Sequence, residues 1–185
     1  NMENFMGIWW SGSENDVIPA GAGANGYKAL QFHNVGSDFP VFADIQKYVV
    51  DAGKAAGAGD QVGTVLYNRG VYAAFLAAEA AATAQAATGN SSITAGDMRD
   101  AMEALEINEA KMAAAGLPGF GPTFTVTCEN HGGGGMAAVS QWDAASQSWS
   151  LISDFSASDS SIVDPLIMAD SAAYATENNL PERCN

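Results

Sequence analysis

Positive charge is scarce in this sequence, cysteine is scarcer, and no long apolar run interrupts it. Seven Lys and Arg stand against 21 Asp and Glu among 185 residues, a formal net charge of −14. A field of that sign repels phosphate backbones and anionic lipid surfaces, which argues against nucleic acid as a partner and speaks to solubility rather than to fold. None of the apolar stretches approaches the ~18 residues that a membrane-spanning helix needs, so no membrane insertion is expected. A charged-then-apolar leader is lacking as well, so any signal peptide has been removed or lies upstream. With 48% hydrophobic and 15% charged residues, the chain suits one full globular domain or parts of two lobes.

Only two cysteines occur, Cys128 and Cys184. They allow one intramolecular pairing, which ties the C-terminal tail back to the body and favours an oxidising compartment. The alternatives are two unpaired thiols, or thiolates on a metal. Cys128-x-x-His131 has metal-like spacing and Glu129 adds an oxygen, but a closed zinc site normally needs four ligands, and only the distant Cys184 and His33 remain to complete it. The disulfide accounts for both cysteines with fewer coincidences, and no metal or cofactor is expected.

Residues 5 to 10, Phe-Met-Gly-Ile-Trp-Trp, read as an apolar strand running into the polar turn Ser-Gly-Ser-Glu-Asn-Asp. In open α/β sheets the carboxyl ends of strands face the ligand crevice, so Trp9 and Trp10 are candidates for a binding wall. Adjacent strand residues point to opposite faces, so one indole lines the cleft while the other is core. The strand starts only a few residues into the chain, which reads as beginning in the middle of a fold.

Val17 to Gly26 reads as a short helix or irregular turn, and Tyr27 to His33 alternates as a strand. Pro40 suits the first turn of a helix carrying Val41, Ile45, Tyr48 and Val49, closed by Gly53. Lys54 to Gly63 is the best linker. A long helix follows from Val65 to Ala87, its Ala-rich second half open to close backbone approach. Thr94 and Asp97 form a capping-box pattern ahead of Met98, Met102 and Leu105. Asn108 to Ala115 adds a helical turn or two. Strands are expected at Phe124 to Cys128, Met136 to Trp142 and Trp149 to Phe155, the last two as a hairpin. Residues 156 to 162 read as a loop before a final helix near Ala169 to Asn178. This is a mixed α/β order.

Three motifs compete with simpler readings. Gly21-Ala-Gly23-Ala-Asn-Gly26 fits the dinucleotide pattern, but it leads into a strand instead of opening a helix, so no nucleotide site is expected. His131 followed by Gly132 to Gly135 is like the oxyanion loop of esterases, yet no G-x-S-x-G elbow exists to supply a nucleophile. Trp142 and Trp149 flank the hairpin turn, placed to face one another or cover a core. Tyr67-Asn68-Arg69-Gly70 opens the long helix; Arg69 either pairs with an acid such as Glu79 or meets a ligand carboxylate.

In order, Phe5-Met6-Gly7, Ala20 to Gly26 with Tyr27-Lys28-Ala29, the linker, Tyr67-Asn68-Arg69-Gly70, Glu79-Ala80, Thr94 to Leu105 and Gln141-Trp142-Asp143 resemble one pattern across nearly the whole chain. It is the C-terminal portion of type I periplasmic substrate-binding proteins, the Leu/Ile/Val-binding group of ABC transporters. The resemblance implies two α/β lobes closing on a ligand, with residues 1 to about 57 and about 126 to 185 in the second lobe and about 58 to 125 in the first. It implies that the N-terminal half of such a protein is missing here. It also implies a non-enzymatic periplasmic receptor that hands a small-molecule solute to permease subunits. In amino-acid-binding relatives the second residue after Phe-Met-Gly is an acid that holds the ligand's ammonium group. Trp9 stands at that place, which favours a flatter or more apolar ligand unless Glu14 or Asp16 supplies the charge. The expected ligand-binding residues are Trp9, Trp10, Ser11 and Glu14, with Tyr67 and Arg69 from the crossover. The alternatives are an esterase-like hydrolase using His131 and a ligand-sensing receptor domain of the same fold.

Overall fold

A computed structural model describes residues 3, 5–7, 11–57, 59–181 and 184. Its main sheet is built from β1 (Phe5–Met6), β2 (Lys28–Gln31), β5 (Met136–Asp143) and β6 (Ser148–Leu151) in that order, with β7 (Ser156–Ala157) also pairing β5. β1 runs parallel to β2, β5 is antiparallel to β2, and β6 is antiparallel to β5. The carboxyl ends of β1, β2 and β6 therefore share one edge of the sheet.

Between β1 and β2 lie α1 (Glu14–Val17) and a 3₁₀ segment over Ile18–Ala24. The glycine motif falls here and feeds a strand, as its order in the chain requires. After β2 comes α2 (Pro40–Ile45), which continues as a π-helical turn over Gln46–Val50. Pro40 sits at the first helical position, where its missing N–H costs nothing. The stretch that reads as linker holds no helix or strand among its described residues.

The long helix is α3 (Val65–Thr88), capped by the Thr64 hydroxyl at its start and by Gly89 in the left-handed region at its end. α4 (Ala95–Met102) opens with the expected reciprocal capping box between Thr94 and Asp97. Next come β3 (Glu106–Ile107), α5 (Glu109–Ala114) and β4 (Phe124–Thr125), which pairs antiparallel with β3. The chain closes with α6 (Ser160–Glu177), which starts well before the expected position and carries Pro165 inside it. Asp159 caps it, accepting from the Ser161 N–H. No helix of the described residues is long and apolar enough to cross a membrane.

Two hydrophobic cores form. One packs under the sheet from Val17, Ala24, Ala29, Val65, Trp142 and Trp149. The other is helical, with Phe42, Tyr72, Phe75, Leu105, Met112 and Phe120 at its centre. α3 joins them, because its first residue, Val65, lies in the sheet core and Tyr72 and Phe75 lie in the helical one. Trp142 and Trp149 sit directly opposite across the β5–β6 ladder with ring centroids 5.4 Å apart, both buried, so they face one another and also fill core. Cys128 and Cys184 are joined in a disulfide, Cα atoms 5.5 Å apart. That consumes both thiolates a zinc site would have used.

Candidate functional site

The strand-end edge is bordered by three loops: Ser11–Ser13 after β1, His33–Ser37 after β2, and the turn after β6. Gly12 lets the first of these lie flat on β2, since a Cβ there would stand 2.5 Å from the Ala29 side chain. The Gln31 amide then donates to the Gly12 carbonyl at 2.9 Å, and the Tyr27 hydroxyl donates to the Ser11 carbonyl at 3.2 Å. Ser13 starts α1, giving both its N–H and its hydroxyl to Asp16 at 3.1 and 2.7 Å. A cavity of about 530 Å³ opens at this edge between Asn34, Gly119 and the Leu151–Phe155 segment, where Ser153 and Asp154 offer polar groups. That volume falls in the ~300–1,000 Å³ range of small-molecule sites.

Glu14 reaches from α1 to the start of α3 and accepts the Val65 N–H at 3.0 and 3.3 Å. An acid at the positive end of a 24-residue helix is electrostatically favoured. Burial nonetheless outweighs these bonds and raises the Glu14 carboxyl above its ordinary range. Arg69 is half-buried about one turn into α3, and burial lowers its guanidinium from its usual value. Glu79, offered as its partner by sequence, instead lies 3.4 Å from Lys111. Tyr67 packs on the helical core.

Of the expected site residues, Glu14 bonds the head of α3, Ser11 lies in the first loop and accepts from Tyr27, and Tyr67 and Arg69 lie in the opening residues of α3, Tyr67 against the helical core. Trp9 and Trp10 lie outside the described residues. His131 is elsewhere: its Nε2 is 3.3 Å from a Glu103 carboxylate oxygen at the rim of an apolar groove of about 630 Å³ between α3 and α4. The glycines after it form the turn into β5, and Gly133 sits so close to the Phe124 ring that a Cβ would meet it at 2.9 Å.

A buried polar group beneath the edge has no counterpart in the sequence reading. Gln31, His33 and Asn68 are 0–1% exposed, and Tyr72 is 9% exposed. His33 stacks on Phe120 with centroids 5.3 Å apart, and its Nδ1 lies 2.8 Å from the Asn34 carbonyl. Burial, aided by the Arg69 charge, lowers its pKa to about 4 and keeps it neutral. The signal was present in the alternation of β2 and the residues just after it, whose inward series Ala29, Gln31, His33 turns polar at Gln31 and His33 where a core strand is ordinarily apolar.

Two solved structures share this architecture. The first, from the Pseudomonas fluorescens group and described as an ABC transporter permease, is 38% identical and superposes with a TM-score of 0.86 over 95% of this chain. The second is a branched-chain amino acid ABC transporter from Thermus thermophilus with bound valine, 20% identical, with a TM-score of 0.62 over 85% of this chain. The fold is that of type I periplasmic binding proteins. This chain spans 42% and 40% of the lengths of those two proteins. No protein-family model matches the sequence, and no curated protein matches it. In type I terms, the cavity beside Asn34 and the head of α3 lie at the strand ends that form the crevice wall in open α/β sheets.

Proposed function

We propose that this chain is the C-terminal portion of a periplasmic solute-binding protein that delivers a small organic solute to the permease subunits of an ABC importer. The observation that carries this reading is the TM-score of 0.86 at 38% identity to a protein described as an ABC transporter component. The valine held by the Thermus protein supports a branched-chain amino acid or a related aliphatic or aromatic acid as the solute. Ser11, Glu14, Tyr67 and Arg69, together with Trp9 and Trp10, are the proposed contacts, Arg69 meeting the solute carboxylate.

In this reading residues 1 to about 57 and about 126 to 185 belong to one lobe and about 58 to 125 to the other. The two cores follow this division in part: most of the helical core comes from 58–125 and most of the sheet core from the flanking stretches, while Phe42 of α2 packs in the helical core and Val65 of α3 in the sheet core. The solute is caught as the lobes close about their hinge. The disulfide fits secretion to an oxidising compartment.

An esterase is not favoured. His131 pairs with Glu103, and the glycine run beside it is occupied in packing against Phe124. Tryptophan fluorescence of the polypeptide titrated with valine, leucine, phenylacetate and short amides tests the receptor reading, which expects a saturable change with at least one of them. Turnover of a chromogenic ester that disappears in a His131→Ala variant would reverse it.

A further inference from the structure

The cavity at the strand-end edge has one charged wall. Asn34 borders it after β2, Gly119 borders it beside the helical core, and Leu151 to Phe155 border it at the end of β6. Backbone bonds hold these walls in place. The Asn34 N–H donates to the Phe120 carbonyl at 2.5 Å, which keeps the Gly119 turn against the loop after β2. The Ile152 N–H donates to the Val139 carbonyl at 2.8 Å, and the Ser153 hydroxyl accepts the Val139 N–H at 2.8 Å while donating to the Asp154 carbonyl at 3.1 Å. In the lobe division proposed above, Gly119 belongs to one lobe and Asn34 and the end of β6 to the other, so the cavity lies where a closing receptor holds its solute.

The groups left uncommitted define what the cavity can take. Ser153 spends its hydroxyl in both roles. Asn34 gives its side-chain oxygen to the Val35 N–H at 2.9 Å, so its NH₂ remains as a donor. Among the described residues the Asp154 carboxylate engages no hydrogen bond and no ion pair. A Cβ on Gly119 would meet nothing within 4 Å, which leaves that wall open. The acids that the sequence offers for a solute's positive charge are already occupied. Glu14 turns both carboxylate oxygens to the Val65 N–H, and Asp16 takes the N–H and hydroxyl of Ser13.

We propose that Asp154 is the counter-ion for a cationic amine on the solute, so that the cavity takes an amino acid or amino amide and not an acid that lacks nitrogen. The inference rests on the receptor reading and narrows its solute class. An ammonium gives the carboxylate a charge-assisted hydrogen bond, the strongest kind the cavity can make. The Asn34 NH₂ then donates to an oxygen of the same solute, and Leu151, Ile152 and Phe155 meet its apolar part. A net charge of −14 favours a cationic group at such a mouth and opposes a solute that is only an anion. The valine held by the Thermus protein carries an amine of this kind.

Calorimetric titration of the polypeptide with leucine and phenylalanine, and with isocaproate and hydrocinnamate, the same molecules without the amine, tests this. At least one amino acid should bind about tenfold or more tightly than its amine-free partner. Asp154→Asn should remove that margin by weakening the amino acid alone, and Asp154→Glu should restore much of it. Asp154 is exposed, so both variants should melt with the native protein. An amine-free acid that binds as tightly as its amino acid, or amino-acid binding that Asp154→Asn leaves unchanged, would overturn the proposal and leave the receptor reading standing. Binding of none of the four would bring down both.

Discussion

His33 makes folding stability depend on pH. Its pKa falls from 6.5 to about 4 on folding, so the unfolded chain binds the proton more tightly. The contribution is whole above pH 6.5 and is lost as pH drops through 4, a span worth about 3 kcal/mol. Urea unfolding should show that slope between those limits, and His33→Phe should flatten it. Glu14 has the opposite sign. Its raised carboxyl adds stability below its ordinary pKa of 4.5, and that contribution is lost as pH rises through the folded value. Glu14→Gln keeps an acceptor for the Val65 N–H without the burial cost of a charge, and should match or exceed the native protein at pH 7. Glu14→Ala orphans that N–H and should cost about 1 kcal/mol in the same measurement. The pairings behind both effects were not legible in sequence, because Glu14 meets a residue 51 positions away and Gln31 one 19 away. The tryptophan pair, the cysteine pair and the Thr94–Asp97 box could be read, the first two by elimination and pattern and the last from a local motif.

Elements with a repeating pattern were recoverable for the same reason. β2, β5, α3 and α4 each carry a hydrophobic period or a cap, and all stand close to where the sequence put them. β3 and β7 are two residues each, too short to hold a period, and are defined by the partner strands they pair with, while the strand expected at Phe124 to Cys128 is present as β4 over its first two residues. The start of α6, Ser160 to Ile162, falls in the Ser- and Asp-rich stretch that reads as loop, and Pro165 inside the helix, which cannot donate there, weakens the helical pattern ahead of Ala169. α6 has no buried residue, and it exposes Ile162, Leu166, Ile167, Met168 and Tyr174. Beyond it, the Cys128–Cys184 bond fastens the tail across 56 residues. Alkylation without reductant should therefore label neither cysteine. Reduction should free the tail, and limited proteolysis should then cut within α6 well before it cuts α3.

At the scale of the whole molecule, a sheet core and a helical core meet at the head of α3, and the loops after β1 and β2 are tied to that same point by Glu14 and Asn68. Such a junction links the strand-end loops to both cores, which suits the lobe closure proposed above. Isothermal titration of the polypeptide with valine and with aromatic and aliphatic acids, run beside Arg69→Ala, bears on this account most directly. It predicts one saturable site per chain for at least one solute, weakened about tenfold or more when the guanidinium is removed. Absence of heat with every solute, or binding that Arg69→Ala leaves unchanged, would contradict it.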